Sequence, residues 1–122
     1  MERGVAWVAV DGSDDPIGFI NGEPLDDYLH IWEMSVNQDQ QGNGIGRALM
    51  NRAKDHAKRS GYRGLTLTTF RNVPWNDSFY MSAGFTVLQP TEVSSALMKV
   101  LQEEVQAGLP GERRCAMRLE FG

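Results

Sequence analysis

The sequence predicts an α/β domain, with α+β character, built on one central mixed β-sheet flanked by helices. Three observations predict it. Short β-branched and aromatic runs recur along the 122 residues. Segments with apolar residues at helical spacing lie between them. The elements run strand, strand, strand, helix, strand, helix, strand, helix, strand.

Val5 to Val10 is β-branched and aromatic and reads as the first strand. Asp11 to Pro16 is dense in turn residues, and Ile17 to Ile20 reads as a second strand closing a hairpin. Asn21-Gly22 carries turn chemistry, and Glu23 to Asp27 is read as an extension of that loop. Leu29 to Val36 is the third strand. Gly44 to Ser60 is the first helix, with Ile45, Ala48, Leu49, Ala53 and Ala57 as its apolar stripe. Gly61 suits the left-handed position beyond its end. Leu65 to Phe70 alternates as a fourth strand. Pro74 opens a short helix through Met81, and Gly84 stops it. Phe85 to Leu88 is a fifth strand. Leu97, Met98, Leu101 and Val105 mark a further helix, and Cys115 to Phe121 is the last strand.

The chain length suits a single domain over residues 1–122. Apolar residues at 41% and charged residues at 23% exclude a disordered chain. A net charge of −4 lacks the basic excess of a nucleic-acid binder. Val5 to Val10 is too short to span a bilayer, and the N-terminus shows no cleavable signal pattern, so the expected compartment is the cytoplasm. The single cysteine, Cys115, sits in a strand-like segment and is expected to be a buried thiol. No His, Cys, Asp and Glu spacing resembles a metal site, so no metal is expected.

The most informative segment is Gln41-Gly42-Asn43-Gly44-Ile45-Gly46-Arg47, which follows a strand and opens a helix. Glycine lets the backbone approach a ligand closely. Unpaired N–H groups and the dipole at a helix start favour phosphate, and Arg47 adds charge in the first turn. A Walker loop requires Gly-Lys followed by Ser or Thr, which this segment lacks. A dinucleotide fingerprint started at Gly42 requires glycine where Arg47 stands, and Leu65 to Phe70 ends without an acid. The remaining pattern is Gln/Arg-x-x-Gly-x-Gly/Ala, met by Gln41, Gly44 and Gly46. It resembles the coenzyme A pyrophosphate loop of the GNAT N-acetyltransferases. A purely structural glycine turn is the competing reading.

A second segment, Trp75 to Phe85, resembles the family's Asn, Phe-Tyr and Gly-Phe signature. It lies one strand downstream of the loop, where the family has it. Asn76 and Tyr80 are four apart and share a helix face. Phe79 and Ala83 fall on another, apolar stripe. The resemblance implies that Tyr80 donates a proton to the departing thiolate and that Asn76 contacts the pantetheine or orders the loop. The competing reading of Tyr80 is a packing tyrosine.

The resemblance further implies acetyl-CoA as cosubstrate, an amine acceptor that is a small molecule or a protein amine, and direct transfer without an acyl-enzyme. It implies that the pantetheine pairs with the third strand, and that N–H groups near Met34, Ser35 and Val36 polarise the thioester. An amine must be neutral to attack, so a base is required. His30 and Glu33 stand on that strand and point to opposite faces. The resemblance implies Glu33 as the catalytic base, since relatives carry an acid close to the end of this strand, its pKa to be raised from about 4.3 by burial. An exposed polar residue is the competing reading for either, and His56 reads as a helix-surface histidine. The resemblance is specific over residues 29–88 and looser outside. Family members begin with another strand and two helices, whereas this chain begins almost directly at a strand pair, so the fold is expected to be N-terminally shortened. A missing wall would expose core and favour a homodimer. A non-catalytic CoA-binding module of the same fold is the alternative function.

Overall fold

A computed structural model describes residues 4–37, 39, 42, 44–70, 79–108 and 114–121, with only the backbone described at positions 70, 90 and 114. The chain divides into two compact units, Met1–Leu65 and Thr66–Gly122.

The first unit is an antiparallel meander of β1 (Val5–Val10), β2 (Pro16–Leu25) and β3 (Tyr28–Val36), packed on helix α1 (Ile45–Arg59). The β1–β2 turn is closed by Asp11, whose Oδ1 accepts from the Ser13 and Asp15 amides at 2.8 and 3.1 Å. Contrary to expectation, β2 does not stop at Ile20. It runs on through Asn21-Gly22 to Leu25, and the chain reverses at Asp26, whose φ is 56°. Turn chemistry is overridden here because Asn21 and Gly22 are paired on both sides, with Ala6 and Val5 of β1 and with Glu33 and Ile31 of β3.

Helix α1 buries Leu49, Met50, Ala53 and Ala57, and Ile17, Ile20, Leu29 and Ile31 are buried in the strands of the same unit. Ala48, expected in the stripe, is exposed, and Met50 takes its place: the buried stripe is rotated from the one read in the sequence. His56 is half-buried, edge-on to Trp7 at 5.3 Å, where a surface histidine was expected. Gly61, with φ 84°, ends the helix as predicted.

The second unit contains β4 (Gly64–Phe70), which starts at the division, a helical segment at residues 79–82, β5 (Thr86–Val87), a 3₁₀ turn at Pro90–Glu92, α2 (Ser95–Gln106) and β6 (Arg114–Glu120). β6 lies between β4 and β5 and is antiparallel to β5. Leu67, Phe85, Leu97, Val100, Cys115 and Met117 are buried. Val105 is exposed and Val100 is buried instead, so α2 also presents a face rotated from the predicted one. Thr68 donates its hydroxyl to the Glu104 carboxylate at 2.9 Å, tying β4 to α2. Among the described residues no helix is long and apolar enough to cross a membrane.

Candidate functional site

In the first unit, β3 and the start of α1 carry most of the predicted residues. The Asn37 amide donates to Ile17 O at 2.8 Å, and Ser35 pairs with Phe19. N–H directions alternate along an antiparallel strand. The N–H of Ser35 therefore also points toward β2, whereas those of Met34 and Val36 point away from it. Met34 and Val36 are half-buried and Ser35 is exposed.

The two candidate bases do not part by face as their three-residue spacing predicted: the register shift in β3 pairs His30 with Glu23 and Glu33 with Asn21, two positions on one face of β2, and the two differ in burial instead. His30 is fully buried, and burial pushes its pKa down from 6.5 to about 4. It packs edge-on to Trp32 at 4.6 Å, and its place is in the core. Glu33 is exposed rather than buried, because β3 turns its outer half to solvent after Ile31. The burial expected to activate it is not found.

The turn before α1 places Gly42 and Gly44 at φ 87° and 81°, in the left-handed region. A Cβ at either position would meet no described atom within 4 Å. Gly44 is the N-cap of α1 and supplies no side-chain bond, and the first turn holds no acid. The first turn instead carries the exposed Arg47. The amides of Ile45, Gly46 and Arg47 precede the first intrahelical donor, Ala48, which bonds Gly44 O at 2.9 Å. The Lys54 pKa is lowered, by burial first and then by the neighbouring Arg47 and Lys58 charges. A helix start with glycine at the cap and a cation in its first turn favours an anion. Gln41 and Asn43 of the motif, and Asn76 of the second segment, lie outside the described residues.

Sequence reading missed one residue that sets this geometry. Gly18 of β2 lies under the first turns of α1, where a Cβ would stand 2.9 Å from Ser35 O, 3.3 Å from Ile45 Cγ2 and 3.4 Å from Leu49 Cδ1. The Ile45 side chain is thus an anchor onto β2, and only its backbone is presented at the helix end. A glycine inside a strand pattern, between Ile17 and Phe19, was the available signal.

Tyr80 belongs to the second unit. It is half-buried, with Phe79 and Phe85 edge-on to its ring at 5.4 and 5.9 Å. Its carbonyl accepts the amides of Ala83 and Phe85 at 3.1 and 3.0 Å, which closes the helical segment. Gly84, at φ 107°, then turns the chain into β5. Burial raises the phenol pKa, so the oxygen keeps its proton at neutral pH.

The family model of the acetyltransferase (GNAT) domain matches residues 2–87, and the chain belongs to that family. Over 65 residues it is 38% identical to a probable N-acetyltransferase 14 of Xenopus tropicalis, which covers 52% of this chain and 32% of that protein. Among solved structures it resembles the putative streptothricin acetyltransferase of Bacillus anthracis str. Ames in complex with acetyl coenzyme A. There the TM-score is 0.76 at 23% identity, over 100% of this chain and 65% of that one. An acetyltransferase of the GNAT family from Staphylococcus aureus Mu50 gives a TM-score of 0.78 at 18% identity, over 98% of this chain and 69% of that one. At these identities the likeness shows the fold, and it is the predicted one: α/β, a mixed sheet with flanking helices. The chain spans about a third of the curated relative's length and about two thirds of these structures.

Proposed function

We propose that the protein is an acetyl-CoA-dependent N-acetyltransferase that moves the acetyl group to a primary amine, of a small molecule or a protein, by direct attack. The observation that carries this reading is the start of α1, where Gly44 supplies no side-chain cap and Arg47 stands in the first turn, preceded by left-handed Gly42 and Gly44 at which a Cβ would meet no described atom within 4 Å. Residues Gln41 to Arg47 would hold the pyrophosphate, largely through backbone N–H groups. The N–H groups of Met34 and Val36, directed away from β2, would receive the thioester oxygen as it gains charge. The amine nitrogen attacks the carbonyl carbon, a C–N bond forms, and the C–S bond breaks. The amine gives up one proton and the departing thiolate takes one. Glu33, exposed on β3, would accept the first through water. Tyr80, kept protonated by its burial, would supply the second. Asn76 is assigned to the pantetheine.

Titration with acetyl-CoA, with thiol release followed over a panel of primary amines, tests the reading. Tyr80→Phe should lower kcat about 100-fold while cofactor affinity stays put. Unchanged kcat removes Tyr80 from the chemistry, and a folded wild type that ignores acetyl-CoA sinks the whole assignment.

Residues 1–122 are read as one domain because the family match runs across the division at residue 65. The cytoplasm is the assigned compartment. A homodimer is supported by Val8 and Val10, which are 58% and 50% exposed on one face of β1. Light scattering at micromolar concentration should return twice the chain mass; a monomer would end that assignment.

A further inference from the structure

A cavity of about 330 Å³ opens on the first unit beside the assigned β3 residues, between Val5 and Ala6 of β1, Asn21, Gly22 and Glu23 of β2, and Trp32 of β3. It forms where β2 and β3 slip register. Asn21 pairs with Glu33 and Gly22 with Ile31, which leaves Trp32 as the extra residue of a bulge. Bulges re-aim side chains, and Trp32 is 44% exposed. Gly22 permits the bulge: a Cβ there would stand 2.7 Å from His30 O.

The cavity has a defined chemistry. The Trp32 indole N–H donates to Glu23 Oε1 at 2.7 Å, which fixes an aromatic ring beside a half-buried carboxylate. That bond occupies one carboxylate oxygen and leaves the other as an acceptor. Among the described lining residues Glu23 is the only charged one, and among the described residues it has no ion-pair partner. A carboxylate and an indole held together are complementary to an organic ammonium, by charge-assisted hydrogen bond and by attraction to the ring. They repel anions and give a neutral apolar ligand no use for the charge.

We propose that Glu23 and Trp32 form an ammonium-binding subsite for the amine acceptor. Its role in turnover rests on the acetyltransferase reading; its ligand chemistry does not. An ammonium held on Glu23 has no lone pair and is not the nucleophile. It is a handle, and a second amine on the same molecule is the group acetylated. Met34 and Val36 follow Trp32 by two and four residues, roughly 7–13 Å at about 3.3 Å per residue. The acceptor class is therefore a diamine, or a basic side chain with a second cationic group, with its nitrogens spaced to that order.

Calorimetry of the full chain with cadaverine, and with pentanol as the neutral control, tests this directly, with and without acetyl-CoA. Cadaverine should bind and pentanol should not. In Glu23→Gln, whose amide oxygen still accepts the indole N–H, cadaverine affinity should fall about 10-fold or more. Gly44→Glu should bind cadaverine as the wild type does. Cadaverine should also shift tryptophan emission in the wild type and leave Trp32→Phe unshifted. Equal affinity in wild type and Glu23→Gln, or no cadaverine binding by folded wild type, overturns the subsite. Cadaverine binding through Glu23 in a protein that ignores acetyl-CoA would keep the subsite and sink the transferase reading. Acetyl-CoA binding without cadaverine binding would do the reverse.

Discussion

The two long helices start in opposite ways. α2 begins on Ser94, whose extended backbone (φ −67°, ψ 163°) lets its hydroxyl accept the Leu97 amide at 3.2 Å. That is the ordinary closure of a helix end, with an orphan donor satisfied within the chain. α1 begins on Gly44, with no side-chain bond, no acid in its first turn and Arg47 within it. Judged by stability alone, α1 is weakly begun: a cation sits at the positive end of the dipole and Gly44 supplies no side-chain bond. The contrast teaches what each end is for. α2 is closed by its own cap, and the start of α1 is the end proposed to take the pyrophosphate.

The sharpest way to break the comparison is to close α1. Gly44→Glu places an acid where the pyrophosphate is proposed to sit. Like-charge opposition costs several kcal/mol, so acetyl-CoA affinity should fall about 1000-fold by calorimetry. Stability should change little in the same variant. A left-handed residue costs about 1–2 kcal/mol, and an acid at a helix start returns about 0.3–1 kcal/mol. An unfolded variant, or one that binds normally, would remove the ligand role from this end of α1.

A pH series keeps folding effects from being mistaken for binding effects. The folded protein holds the His30 pKa down at about 4, against 6.5 for the free side chain. As pH falls, the unfolded chain takes up this proton first. The stability associated with a neutral His30 is thus complete above about pH 6.5 and is lost as pH drops toward 4. The loss reaches about 3 kcal/mol, at about 1.4 kcal/mol per pH unit. Urea titrations at neutral pH and near pH 4.5 should show it, and His30→Gln should flatten the difference. An unchanged slope in that variant would assign the acid sensitivity to other groups.

The sequence made the α/β class and most of the element order legible, because strand runs and helical stripes are local signals. It also made the loop legible, since Gly42 and Gly44 stand in a turn whose spacing is itself the message. What failed was set by tertiary context. Asn21-Gly22 reads as a turn and is a strand, since pairing on both sides outweighs its turn preference. Ala48 and Val105 keep helical period yet lie outside the buried faces. The expected burial of Glu33 depended on where β3 turns to solvent, and the register slip at Trp32 lies close by. Gly22 permits that slip, but beside Asn21 it reads as a turn, so its place in a bulged strand is hidden.

The smallest expected effect tests the closed half of the comparison. Ser94→Ala removes the hydroxyl from the Leu97 amide and leaves the backbone free to keep its extended shape. Loss of such a cap costs about 1 kcal/mol, which urea unfolding at neutral pH can resolve. Because Ser94 serves the fold alone, acetyl-CoA affinity should not move. The pair of variants then forms a double dissociation, one helix start changing binding with little change in stability and the other the reverse. If Ser94→Ala weakened acetyl-CoA binding as strongly as Gly44→Glu, the start of α1 would lose its claim to a distinct role, and both helix ends would have to be read as parts of one stability requirement.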